Sequence, residues 1–106
     1  MQFYNYGTTD PIPVVISLNG IGVNATLAAG DVRLIKDGVA AGNVNALPVA
    51  VDGTNYPGDF TWTPTAAETQ CEYFVLVIKD QTSPIAFNEN RITHYTGGNG
   101  AARLKG

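Results

Sequence analysis

The punctuation of this chain constrains its fold more than any other feature. Turn-forming pairs and Gly/Pro clusters recur at intervals of about 8–12 residues, with β-branched and aromatic residues between them, a spacing that suits short strands and leaves no room for an ordinary helix. Asn19-Gly20 and Asp37-Gly38 are the pairs that supply the positive φ values of two-residue hairpin turns. Asp52-Gly-Thr-Asn-Tyr-Pro-Gly58 and Asp80-Gln-Thr-Ser-Pro84 are turn chemistry from end to end.

The runs between these turns read as strands. Pro11 to Leu18 is the first, and its prolines at 11 and 13 confine its start to a sheet edge or a pre-strand extension. Ile21, Val23 and Ala25 alternate with Gly22, Asn24 and Thr26, as a half-buried return strand requires. Asp31 to Lys36 places Val32 and Leu34 on one face and Arg33 and Ile35 on the other, and Val39 to Asn45 is its small-residue partner, suited to a flat edge. Asp59 to Thr63 directs Phe60 and Trp62 to one side. Thr65-Ala-Ala-Glu68 has capping-box spacing and predicts a one-turn helical corner. Cys71 to Lys79, apolar on both faces, predicts a strand in the middle of a sheet and covered on both sides, and Ile85 to Tyr95 predicts the last strand. The expectation is an all-β chain: an immunoglobulin-like antiparallel β-sandwich of about seven strands with one short helical corner, without the cysteine pair of antibody domains. An aromatic arm (1–10) precedes the sandwich (11–95), and a Gly-rich basic tail (96–106) follows it.

Charge narrows the function. Only 14% of the 106 residues are charged, well below the usual quarter, which suits a surface partly covered by neighbours. Residues 1–90 hold all nine acids with Arg33, Lys36 and Lys79, a net −6. Residues 91–106 hold Arg91, Arg103 and Lys105 and no acid, a net +3. That balance argues against direct binding of nucleic acid. No apolar run approaches the ~20 residues that span a bilayer, and the opening residues do not read as a signal peptide.

No catalytic constellation emerges. His94, the single imidazole, reads as a strand-end surface residue, and Cys71 reads as a buried small hydrophobe. Asp31, Asp37, Asp52, Asp59 and Asp80 lie in or beside turns, where Asp bonds its own backbone. One Cys and one His exclude a disulfide within the chain and a multi-thiolate zinc site. Only Asp52 to Asp59 has calcium-loop character, and no cofactor pattern is present. Tyr56, Phe60, Trp62 and Tyr73 keep a sugar-stacking platform, and with it a carbohydrate-binding module, as an alternative. The candidate contact residues are Phe3, Tyr4 and Tyr6 in the aromatic start and Arg103 and Lys105 in the tail. Aromatics are typical interface anchors, and the tail suits an acidic neighbour.

Gly30-Asp-Val-Arg-Leu-Ile-Lys-Asp-Gly38, Asn43-Val-Asn-Ala-Leu-Pro48, Thr63-Pro-Thr-Ala-Ala-Glu-Thr69 and Val75-Leu-Val-Ile-Lys-Asp-Gln-Thr82 together resemble small immunoglobulin-like virion proteins of tailed bacteriophages. The likeness spans residues 7–96 and departs at Thr63-Pro64, where those proteins often carry Leu. It implies a virion component without catalytic activity: a capsid decoration or cement subunit, or a tail, neck or fibre adaptor. Its partners would be other virion proteins, with homo-oligomers in the assembly and no membrane. The shared motifs are turn and core signatures, so no functional residue is carried over.

Overall fold

The computed structural model describes residues 2–96. The described residues form ten strands: β1 (Gln2–Phe3), β2 (Ile12–Val15), β3 (Ser17–Leu18), β4 (Ile21–Gly22), β5 (Val32–Lys36), β6 (Val39–Asn43), β7 (Val49–Asp52), β8 (Tyr56–Trp62), β9 (Tyr73–Ile78) and β10 (Asn90–Tyr95). They make a five-stranded sheet in the order β1-β10-β9-β5-β6, a three-stranded sheet in the order β2-β8-β7, and the small β3-β4 hairpin. All pairings are antiparallel except β1 with β10.

The two larger sheets share one core, because alternation turns one face of each inward. Ile12 and Val14 of β2 and Phe60 and Trp62 of β8 meet Val32 and Leu34 of β5 and Phe74, Leu76 and Ile78 of β9. Trp62 and Phe74 touch edge to face, with ring centroids 5.9 Å apart. Each fully buried apolar side chain contributes about 1.5–3 kcal/mol. β9 is central, as its composition predicts. Its second face (Tyr73, Val75, Val77) is only half covered, and no second layer seals it.

Local chemistry fixes the register. Asn19-Gly20 and Asp37-Gly38 adopt the predicted positive φ values (54° and 82°; 50° and 81°). The aspartates do more than close their own turns. Asp31 accepts the N–H of Ala28 (2.9 Å) and of distant Gln81 (3.1 Å), while Lys79 N–H donates to the Asp31 carbonyl (2.8 Å). Asp37 accepts the N–H groups of Glu72 (2.9 Å) and Tyr73 (3.1 Å). The β5–β9 pairing is thus clamped by a carboxylate at each end. Thr65 and Glu68 form the reciprocal box that their spacing predicts: Thr65 N–H donates to the Glu68 carboxylate (2.8 Å) and Glu68 N–H to the Thr65 hydroxyl (3.3 Å). The helical corner itself is a 3-10 turn, Ala67–Thr69.

Besides the half-covered second face of β9, further expectations change: β8 runs Tyr56–Trp62, beginning inside the 52–58 segment expected to be turn throughout. The return strand at 21–26 shrinks to two residues, with Ile21 70% exposed at the hairpin end while Val23 and Ala25 pack on the core. The last strand begins at Asn90, not Ile85. Asp80 bonds Thr82 N–H, Thr82 hydroxyl and Ala86 N–H and holds 80–86 as a loop. Val49–Asp52, unmarked by any sequence pattern, is a strand.

Candidate functional site

The aromatic start is laid along the domain. β1 pairs in parallel with β10, Gln2 against His94 and Phe3 against Tyr95, and Tyr4 N–H donates to the Tyr95 carbonyl (2.9 Å). Tyr4 packs on the core and meets His94 edge to face at 5.4 Å, and burial raises its phenol pKa. Tyr6 remains exposed. Arg103 and Lys105 lie outside the described residues.

His94 is a correction: it is not a surface residue but 1% exposed, on the inner face of β10 with Ile92. Phe74, at 5.0 Å, and Tyr4 flank the ring, and neither nitrogen has a hydrogen-bond partner among the described residues. Burial pulls its pKa from 6.5 down to about 4. Cys71 is buried, as expected, and its thiol is pushed up to about 11, chiefly by desolvation and then by the charge of Asp37, so it is held as the unreactive thiol.

The carboxylates serve turns. Asp52 accepts from Thr54 N–H, Asn55 N–H and the Asn55 amide, which lower its pKa, and Asp80 is lowered likewise by Ala86 and Thr82. No group of three or more metal-capable side chains gathers among the described residues. Trp62 and Phe60 lie in the core, so neither offers a ring face to a sugar. Tyr73 and Tyr95 approach on the outer face of the five-stranded sheet, but their planes differ by 39°.

The exposed feature that the topology singles out is one lateral edge. β6 closes one side of the five-stranded sheet and β7 one side of the three-stranded sheet, and only residues 44–48 join them. All five residues of β6 are exposed, as are the first three of β7. Val39 and Val49 are each 69% exposed and Val51 60%. Natural edges are commonly guarded by lysine or proline. The opposite edge of the three-stranded sheet has Pro13 within β2, whereas Val39–Asn43 and Val49–Val51 contain neither proline nor charge. Pro48 and Asp52 bound the exposed part of β7, and register shifts interrupt the pairing at Leu34/Ile35 against β6 and at Ala50/Asp52 within the β7–β8 pair. They limit pairing to a few residues and disfavour open-ended stacking.

No helix among the described residues is long and apolar enough to cross a membrane. Compared with family models, with curated proteins and with solved structures, the chain matches none.

Proposed function

We propose that this chain is a non-enzymatic structural protein of a tailed-bacteriophage virion. In this reading it decorates or cements the capsid by pairing its open β6/β7 edge with a strand of a neighbouring subunit. The observation that carries the binding role is that edge: two strand borders joined by residues 44–48, exposed over Val39–Asn43 and Val49–Val51, and free there of charge and proline. Main-chain hydrogen bonds to an added strand would supply affinity, and Val39, Val49 and Val51 would supply apolar contact. The virion setting rests on the resemblance of residues 30–38, 43–48, 63–69 and 75–82.

An immunoglobulin-like architecture belongs to the same reading. Its support is the strand order: β10-β9-β5 corresponds to the G-F-C sheet and β2-β8-β7 to the B-E-D strands of the facing sheet. The buried Trp62 and the exposed valines favour protein contact over sugar stacking.

The double variant Val39→Lys/Val49→Lys tests the proposal, since both side chains are already exposed. It is expected to keep the wild-type circular dichroism and melting temperature while its copies per purified particle fall. Wild-type incorporation would overturn the edge as the contact. Hundreds of wild-type copies per particle support decoration, whereas about six or twelve would replace it with a tail or neck position.

A further inference from the structure

The outer face of the five-stranded sheet gathers cations on an otherwise acidic chain. Register aligns Arg33, Val77 and Arg91 in one cross-strand row over β5, β9 and β10, and Lys79 follows Val77 on the same side. These four, with Gly30, Asp31 and Gln81, line a depression of about 230 Å³. The described residues include only four cations, and three of them are here. Lys36, the fourth, donates to the Ala67 carbonyl (2.5 Å).

The arrangement holds one arginine in place. Arg33 Nε donates to the Gly30 carbonyl (3.1 Å), and Gly30 has φ +93°. That φ lies in the left-handed region that favours glycine, and it turns the Gly30 carbonyl towards the guanidinium it accepts from. Two carboxylates temper the charge without filling the depression. Asp31 is buried and already accepts the Ala28 and Gln81 N–H groups, and Glu89 pairs with Arg91 at the rim. Seven carboxylates then face Lys36 alone over the rest of the described chain.

We propose that this depression is a docking site for an acidic, extended peptide segment of a partner protein, with carboxylates on alternate residues. Such carboxylates stand about 7 Å apart on one face of an extended chain, and the two arginines sit on strands about 10 Å apart, within side-chain reach of both. Val77 between them is an uncharged floor under the backbone of the intervening residue, whose own side chain points away from the sheet. The site borders β6, where Arg33 pairs with Asn43, but it uses the outer sheet face and not the open main-chain edge, so the two proposals are tested by different variants.

The test is an amide-shift titration of the whole chain with a blocked Asp-Ala-Asp-Ala-Asp peptide, its Asn-Ala-Asn-Ala-Asn counterpart, and inorganic phosphate. Saturable shifts at Arg33, Val77, Lys79 and Arg91 are expected with the acidic peptide only. They should weaken about fivefold or more in Arg91→Gln and between low and 0.5 M salt. Lys79→Gln, also exposed, provides a second variant. Absence of shifts, equal shifts with the Asn peptide, or binding of phosphate in place of the peptide would each overturn the proposal.

Discussion

Lowering the pH from 7 to 4 is expected to remove about 3 kcal/mol of stability through one side chain, His94. Its ring is 1% exposed, lies between Tyr4 and Phe74, and has no hydrogen-bond partner among the described residues, so the folded state resists protonation until about pH 4 while the unfolded chain accepts the proton near 6.5. The unfolded state therefore binds more protons throughout that window. Stability is fully present above pH 6.5, falls as pH drops towards 4 at up to about 1.4 kcal/mol per pH unit, and loses nothing further to His94 below that. A loss of this size is a large fraction of the 5–15 kcal/mol typical of a small domain. Asp52 and Asp80, whose pKa values are lowered, add their own loss only at more acid pH, below the ordinary 3.8, so the two effects separate. Urea unfolding at a series of pH values, on wild type and His94→Phe, reads the slope directly. Phe keeps the ring and removes the titrating nitrogens, so the variant should be nearly flat from pH 7 to 4.5. A flat wild type, or a His94→Phe variant with the wild-type slope, would refute the assignment. Deleting residues 1–6 removes Tyr4 from the ring, and the His94 pKa measured by NMR is expected to move back towards 6.5.

Two further outcomes follow from the clamps and the close approaches. Asp31→Ala removes the acceptor of the part-buried Ala28 and Gln81 N–H groups, and chemical denaturation should register a loss of about 1–3 kcal/mol; a loss below about 0.5 would mean that the β5–β9 clamp is dispensable. Gly22→Ala would set a Cβ 2.2 Å from the Pro57 carbonyl oxygen, so β4 and β8 must part, and the melting temperature should fall by about 5–15 °C.

The parts of the fold legible in the sequence are those governed by local chemistry. Asp37-Gly38 turns as its residue types require, Pro13 marks an edge, and the double apolar face of Tyr73–Ile78 marks the middle of a sheet. What escaped depends on pairing between distant segments. β1 is two residues long, and its position is set by β10, some ninety residues away. β7 is short and exposed, so it carries no alternation to read. His94 reads as a surface residue from its place near a strand end, although its spacing from Ile92 puts both on one face. The cationic depression is invisible in one dimension, because Arg33, Lys79 and Arg91 meet only through the β5-β9-β10 register. For the candidate interface, small uncharged residues at Val39–Asn43 already suggested an edge; that β7 extends it required the topology.

Amide hydrogen exchange in the assembled particle, compared with the isolated chain, tests the β6/β7 edge most directly. In the isolated chain the outward N–H groups of Val39–Asn43 and Val49–Asp52 should exchange rapidly. In the particle they are expected to slow by about a hundredfold or more, as strand pairing would require, while the central β9 remains protected in both. Equal exchange at both edge strands in the particle and in solution would contradict the account.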